Sequence, residues 1–206
     1  MSSTSATSTS FAVLGLLALG PGSTYELTQQ VQRSLGRMWP RATSRLYEEP
    51  KKLVALGWAT ATAESVGRRP RTVYTITAEG RAALARWLAE PAQGPVLEFE
   101  QLLKLVFADQ GSRDDALRTV AAARAWAEQA NVGNLVAARE YASGKGPQQH
   151  RAAPPLLAGA FLTDFYALVA RWADWAAEQI ETWPDDPADA VADPAEFEAI
   201  ARRADW

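Results

Sequence analysis

Pro40-Arg-Ala-Thr-Ser-Arg-Leu-Tyr-Glu-Glu-Pro-Lys-Lys-Leu-Val-Ala-Leu-Gly-Trp58 is the stretch whose reading decides the fold. Leu46, Pro50, Leu53 and Leu56 fall near one face at helical spacing. Ser44, Tyr47, Glu48 and Lys51 fall on another. The spacing predicts a helix with one packed face and one face that offers hydroxyls and a cation to an anion, suited to the major groove of DNA. Thr43 or Ser44 supplies an N-cap oxygen to the first turn, and Gly57 stands where a helix usually stops. Pro50 has no amide donor and its ring crowds the preceding turn, so the helix is expected to kink or restart there. An ordinary surface helix with a solvated polar face has the same pattern. The sequence on either side separates the two.

Upstream, Phe11 to Gly20 is a short, nearly all-apolar run closed by Gly20-Pro21-Gly22, which predicts a helix buried on most sides. Ser23-Thr24-Tyr25-Glu26 has the capping-box pattern and opens a second helix with Leu27, Val31 and Leu35 spaced by four, closed by Gly36. Met1 to Ser10 is almost all Ser, Thr and Ala and is expected to be a flexible tail (residues 1–10). Downstream, Trp58 to Glu64 and Thr72 to Thr77 carry strand-forming residues around Ser65-Val-Gly-Arg-Arg-Pro-Arg71. The pattern predicts a β-hairpin wing whose tip places Arg68, Arg69 and Arg71 across phosphates. A solvated charged turn is the plainer reading of the tip alone. Thr77-Ala78-Glu79-Gly80 caps one more helix to about Glu90, with Leu84, Trp87 and Leu88 on its packed side, and Glu90 to Pro95 is a Pro/Gly break.

The expected fold is mainly α with a small β-hairpin: a winged helix-turn-helix over residues 11–92, then a helical region over 96–183. In that region Leu97 to Ala108 reads as a helix, Ser112 opens a long helix toward Tyr141 that Asn131, Gly133 and Asn134 weaken, and Ala142 to Pro155 reads as a loop. Leu156 to Trp183 is strongly helical. Its Phe161, Phe165, Leu168, Trp172 and Trp175 recur at spacings of 4, 3, 4 and 3, a seam suited to pairing with a helix of this chain or of a second copy. Phe161, Phe165, Leu168 and Trp172 are the candidate dimer interface. Residues 184–206 form an acidic tail with seven Asp and Glu against Arg202 and Arg203.

Charge follows the same division. Residues 1–92 carry 11 Lys and Arg against 6 Asp and Glu, a balance of +5, and residues 93–206 carry 10 against 18, a balance of −8; together they give the chain's −3. A basic first part fits a nucleic-acid-facing module. Cysteine is absent, which fits a reducing compartment. The apolar run at Phe11 has no Lys or Arg before it and is too short to span a bilayer, so a cytoplasmic protein without a membrane partner is expected. No enzyme is expected. The single histidine, His150, stands in a predicted loop with no partner, Asp185-Asp186 is a tail pair, and Gly144-Lys145-Gly146 has no strand before it to make a phosphate loop. No metal or other cofactor is expected.

Several short motifs in order resemble the PadR family of bacterial transcriptional regulators: Leu14-Gly15-Leu16-Leu17, Gly20-Pro21, Tyr25-Glu26-Leu27, the spacing of Ser44, Tyr47, Leu53 and Gly57, and Arg69-Pro70-Arg71 before Tyr74 and Ile76-Thr-Ala-Glu-Gly-Arg81. They cover about residues 11–90, with a looser match over 97–183. The resemblance implies a homodimer that binds an inverted-repeat operator in double-stranded DNA, usually as a repressor, and is often released by a small aromatic or hydrophobic effector. It places Ser44 and Tyr47 on the DNA-facing helix, Tyr25 at the start of the second helix, and Arg69 and Arg71 on the wing. Pro50 departs from the family's usual Leu and Thr24 from its usual Gly. On this reading Arg41, Arg45, Lys51 and Lys52 join Thr43 as phosphate and base-edge contacts. Trp126, Trp172 and Trp175 are the candidate effector-pocket walls, since aromatic surfaces suit flat apolar ligands; as core or seam residues they have a plainer role. The alternative function is a winged-helix protein-interaction module with no specific DNA site.

Overall fold

The computed structural model describes residues 5–39, 46–66 and 69–205, with Val66 and Arg69 described by their backbone alone. The candidate contacts Arg41, Thr43, Ser44, Arg45 and Arg68 lie outside the described residues. The chain divides into two compact units, residues 1–95 and 96–206. The first is built in the order α1 (Ser8–Leu19), β1 (Gly22–Ser23), α2 (Thr24–Gln30), α3 (Glu49–Ala55), β2 (Ala59–Val66), β3 (Arg69–Ile76) and α4 (Ala78–Ala89).

α1 starts three residues earlier than the apolar run predicts. Thr7 caps it in a reciprocal pair with Ser10, whose backbone N–H reaches Thr7 Oγ1 at 3.4 Å while Thr7 N–H donates to Ser10 Oγ at 3.0 Å. Ser8 to Ser10, expected in the tail, are therefore its first turn, and Ser10 is fully buried. Little apolar area drives that order; the hydroxyls bury because each has a partner. Val13, Leu14 and Leu17 of α1 form the centre of the core with Leu27, Val31, Leu46 and Leu53. Phe11 stacks on Trp87 of α4 at 4.9 Å between ring centroids, so Trp87 packs as expected, whereas Leu88 is exposed.

The capping box of Ser23 and Glu26 is present as the sequence predicts. α2 then widens into a π-helical turn over Val31–Leu35, with Gly36 N–H bonded to Val31 O at 2.7 Å. The hairpin is tighter than expected. β2 and β3 pair antiparallel from Ala59↔Ile76 to Val66↔Arg69, so Ser65, Pro70 and Arg71 belong to the ladder, not the tip. β1, a two-residue strand absent from the sequence reading, pairs with β3 at Gly22↔Tyr74 and Ser23↔Val73, giving the sheet order β1-β3-β2.

The second unit contains α5 (Glu100–Val106), α6 (Arg113–Ala142), α7 (Ala153–Glu181) and α8 (Pro194–Ala204). Ser112 caps α6 as predicted. The weak point expected at Asn131 to Asn134 is instead an anchor: Asn134 is buried, and its side-chain amide donates to Thr163 Oγ1 at 2.7 Å and Gly159 O at 3.3 Å on α7. α7 begins at Ala153, so Pro154 and Pro155 lie in its first turn and not in the preceding loop. That position suits proline, whose missing amide would have no helical partner there. α6 and α7 pack antiparallel, Ala116 and Val120 meeting Ala176 and Ile180, and Ala123 and Ala127 meeting Val169 and Ala173. By length and composition α7 could cross a bilayer; here one of its faces is taken by α6. Arg113 closes the far end, donating to Trp183 O at 3.0 Å and pairing with Asp185 at 3.0 Å.

Candidate nucleic-acid interface

α3 begins at Glu49, with Pro50 in its first turn. Among the described residues the helix starts at the proline instead of running through it. Leu46, Tyr47 and Glu48 form a turn ahead of it, so Tyr47 and Glu48 do not share a helical face with Lys51. The apolar positions fall as predicted: Leu46, Pro50 and Leu53 are buried and Leu56 half-buried. Gly57 ends α3 in the left-handed region at φ +74°, with Gly57 N–H bonded to Val54 O at 2.9 Å and Trp58 N–H to Leu53 O at 2.9 Å. These two bonds satisfy the last carbonyls and turn the chain into β2.

The start of α3 is held from beneath. Glu49 is buried, and Ser10 Oγ donates to its Oε2 at 2.6 Å; Lys52 Nζ lies 3.9 Å from its Oε1. Trp39 Nε1 donates to Thr9 Oγ1 at 3.3 Å, tying the chain that leaves the π-helical turn to the same part of α1. The sequence reading missed Ser10, Glu49 and Thr9. Its only available signal was the Thr7 to Ser10 spacing, which lacks the Glu or Gln of the usual capping box.

Of the described candidates, Tyr25 is 70% exposed at the start of α2 and Tyr47 66% exposed just before α3. Large aromatics held in solvent at two helix entrances, each with a hydroxyl, are available for contact. Lys51 is exposed and sits 3.3 Å from Glu48, a pair that solvent screens and a phosphate can displace. Lys52 is mostly buried beside Glu49 and is less accessible than the sequence reading expected. Arg71 is engaged within the unit: Nη1 donates to Glu26 Oε1 at 3.1 Å and Nη2 to Glu64 Oε2 at 2.9 Å. The Ser23 cap hydrogen bonds, and after them Arg71, hold the Glu26 carboxyl below the usual carboxylate value. Arg33 and Arg37, which the sequence reading did not single out, follow α2 on the same strongly basic segment.

Residues 13–86 match the family model described as the transcriptional regulator PadR-like family. These residues form a PadR-like domain. The chain is 33% identical over 108 residues to the negative transcriptional regulator PadR of Bacillus subtilis, a match that covers 52% of this chain and 59% of that relative. The chain thus spans less than two thirds of that regulator's length. Among solved structures, Bacillus subtilis PadR in complex with operator DNA superposes with a TM-score of 0.72 at 22% identity, covering 83% of this chain and 98% of that one. The same protein in complex with p-coumaric acid superposes at 0.66 and 22% identity, covering 84% and 94%. At this identity the structures share the fold, a winged helix followed by helices, as the PadR-like domain's sequence predicts.

The other candidates lie in the second unit. Trp126 and Trp172 both meet Phe99, at centroid distances of 6.4 and 5.7 Å, and Trp126 also meets Phe165 and Tyr166 edge-on. Trp172 and Trp175 both pack against the cluster of Ala116, Val120, Ala176 and Ile180, and Trp172 also packs against that of Ala123, Ala127, Val169 and Ala173, where Phe99 lies. An open groove of about 550 Å³ beside α5 and α6 is lined by other residues, among them Lys104, Phe107, Asp115 and Arg118. Of the predicted dimer seam, Phe161 is 65% and Leu168 55% exposed, while Phe165 and Trp172 are half-buried. The row of α7 that packs on α6 is Leu162, Tyr166, Val169, Ala173, Ala176 and Ile180.

Proposed function

We propose that this chain is a sequence-specific DNA-binding transcriptional regulator, a repressor that binds an inverted-repeat operator as a homodimer. The observation that carries the reading is the exposure of Tyr25 and Tyr47 at the entrances of the two helices of a PadR-like domain. Exposed Lys51 follows Tyr47 by four residues, and the basic residues Arg41, Arg45, Arg68 and Arg69 are close in sequence. In the proposed complex Thr43, Ser44 and Tyr47 face base edges or the sugar–phosphate backbone, Arg41, Arg45, Lys51, Arg68 and Arg69 neutralise phosphates, and Lys52, held beside Glu49, adds positive charge from behind. Phosphate contacts set position and salt dependence; base contacts set sequence.

The homodimer is supported by the outward row of α7, where Leu157, Phe161 and Leu168 stand exposed beside half-buried Phe165 and Trp172. An apolar row of this length in water is favoured to pair with an equivalent surface. A two-fold dimer sets two α3 helices about 34 Å apart, one turn of DNA, and so calls for a palindromic site. Release by a small aromatic or hydrophobic effector is proposed through the rings around Trp126 and Trp172. The p-coumaric acid complex of the Bacillus subtilis neighbour supports that class of ligand. Such an effector must bind the released state more tightly than the DNA-bound one.

The test is selection of duplexes from a random pool by the purified protein, followed by titration of the winner at several salt concentrations. An enriched inverted repeat whose affinity falls steeply with salt is the expected result. Enrichment of no sequence would reject the operator and favour a winged helix that contacts protein.

A further inference from the structure

We propose that Arg71 is a positioning residue: it fixes the wing hairpin against the entrance of α2 through Glu26 and Glu64 and does not itself neutralise a DNA phosphate. The inference rests on the DNA-binding reading above and assigns Arg71 a different role from its neighbours at the hairpin tip.

The geometry joins three elements at one guanidinium. Glu26 uses its two carboxyl oxygens for two tasks. Oε2 accepts from Ser23 N–H at 2.8 Å and from Ser23 Oγ at 2.8 Å, closing the cap of α2, while Oε1 accepts from Arg71 Nη1. The other nitrogen of Arg71 reaches Glu64, its direct cross-strand partner in the β2–β3 ladder. Two residues along, Ser23 pairs with Val73 through β1. The same guanidinium therefore bonds the β2 side of the hairpin and the start of α2, where Tyr25 is displayed. Its Nε is buried and bonds no other described residue, so the side chain is held at its outer nitrogens.

Electrostatics point the same way. Arg71, Glu26 and Glu64 together carry a net charge of −1. A phosphate that approaches this trio meets one cation already shared by two carboxylates, a far weaker attraction than a free arginine offers. To bind phosphate, Arg71 would have to leave Glu26, and the wing would lose its tie to α2. The planar fork of arginine suits such a two-sided bridge, and a lysine, a single point charge, does not reproduce it.

The experiment uses the full chain, with Arg71→Gln, Glu64→Gln, Arg71→Lys and the double variant Arg71→Gln/Glu64→Gln. Operator affinity is titrated by fluorescence anisotropy across a salt series, and amide hydrogen exchange is followed at Ser23 and Val73 without DNA. A positioning role predicts that Arg71→Gln and Glu64→Gln each weaken operator binding about fivefold, the equivalent of about 1 kcal/mol. The double variant is no weaker than either single one, and the salt slope is that of the unaltered protein. Arg71→Lys fails to restore affinity, and exchange at Ser23 and Val73 quickens in each variant. A phosphate contact predicts the reverse signs: Arg71→Gln flattens the salt slope by about 0.9, and Glu64→Gln tightens binding by freeing the cation. Either result overturns the proposal. If the unaltered protein binds no duplex, the DNA reading fails by itself. The positioning role is then decided by exchange, where unchanged rates at Ser23 and Val73 in Arg71→Gln would refute it.

Discussion

Ser10→Ala should destabilise the first unit far more than its place at the edge of a Ser/Thr-rich segment suggests. Its hydroxyl donates at 2.6 Å to Glu49, a buried carboxyl whose next described cation, Lys52, is 3.9 Å away. Removing the hydroxyl leaves a buried acceptor without its close donor, at a cost of about 2 kcal/mol. It also removes half of the reciprocal cap with Thr7, worth about 0.5–1 kcal/mol. For a unit of this size the total lowers the midpoint of thermal unfolding by about 10–20 °C. Thr7→Ala removes only the cap and isolates that part. Glu49→Met, apolar and of similar volume, removes the acceptor, so Ser10→Ala in that background should cost no more than Thr7→Ala. Urea titration followed by hydrogen exchange at α1 and α3 amides reports this unit separately from the second. The reasoning fails if Ser10→Ala costs no more than Thr7→Ala, or costs the same with and without Glu49. Because Glu49 opens α3, operator affinity should fall along with stability.

Gly80→Ala places a Cβ 2.1 Å from the Trp58 carbonyl oxygen, which must push α4 away from β2; a loss of about 2–3 kcal/mol in denaturant titration is expected. Tyr47→Ala should weaken operator binding about fivefold, the loss of one contact of about 1 kcal/mol, with the oligomeric state in sedimentation unchanged. Phe161→Asp puts a charge on the outward row of α7 without touching the row packed on α6, so sedimentation should show a folded monomer; an intact dimer would remove Phe161 from the interface. Acid should loosen the first unit through Glu26. Its carboxyl is held below 4.5 in the folded state, so its contribution is present above that value and is lost as pH falls through the lowered one. Glu26→Gln should flatten this part of the acid-unfolding profile.

What the sequence made legible was whatever rests on local chemistry. The capping box of Ser23 and Glu26, the left-handed stop at Gly57 and the cap at Thr77 are each written in a few adjacent residues, and each is present. Alternation and β-branched residues located the hairpin, but not that Pro70 and Arg71 stay in its ladder. The sequence places Arg71 beside Arg68 and Arg69 at a basic hairpin tip, where bidentate contacts to phosphate are the expectation. Its carboxylate partners lie 45 and 7 residues away, and no local pattern signals the first. Ser10 was unreadable for the same reason, its partner being 39 residues on. Pro50 was read as a source of irregularity; its fixed φ and missing amide cost nothing in a first turn, which is where the chain uses it.

α7 carries two apolar rows of the same period, one taken by α6 and one that the sequence reading singles out as a seam. The predicted row, Phe161, Phe165, Leu168, Trp172 and Trp175, and the row packed on α6, Leu162, Tyr166, Val169, Ala173, Ala176 and Ile180, have the same 4-3 spacing and differ by one residue. One residue is about 100° of rotation, so the two rows are neighbouring stripes of one wide apolar surface. Size drew the sequence reading to the aromatics. The intramolecular contact is closest where Ala173 and Ala176 face Ala116, Ala123 and Ala127, with Leu162, Tyr166, Val169 and Ile180 buried in the same row. The larger side chains of the other row are left facing outward or half-covered. In the proposed dimer that second stripe is buried against its equivalent in another copy, so one wide apolar surface serves both the contact with α6 and the dimer.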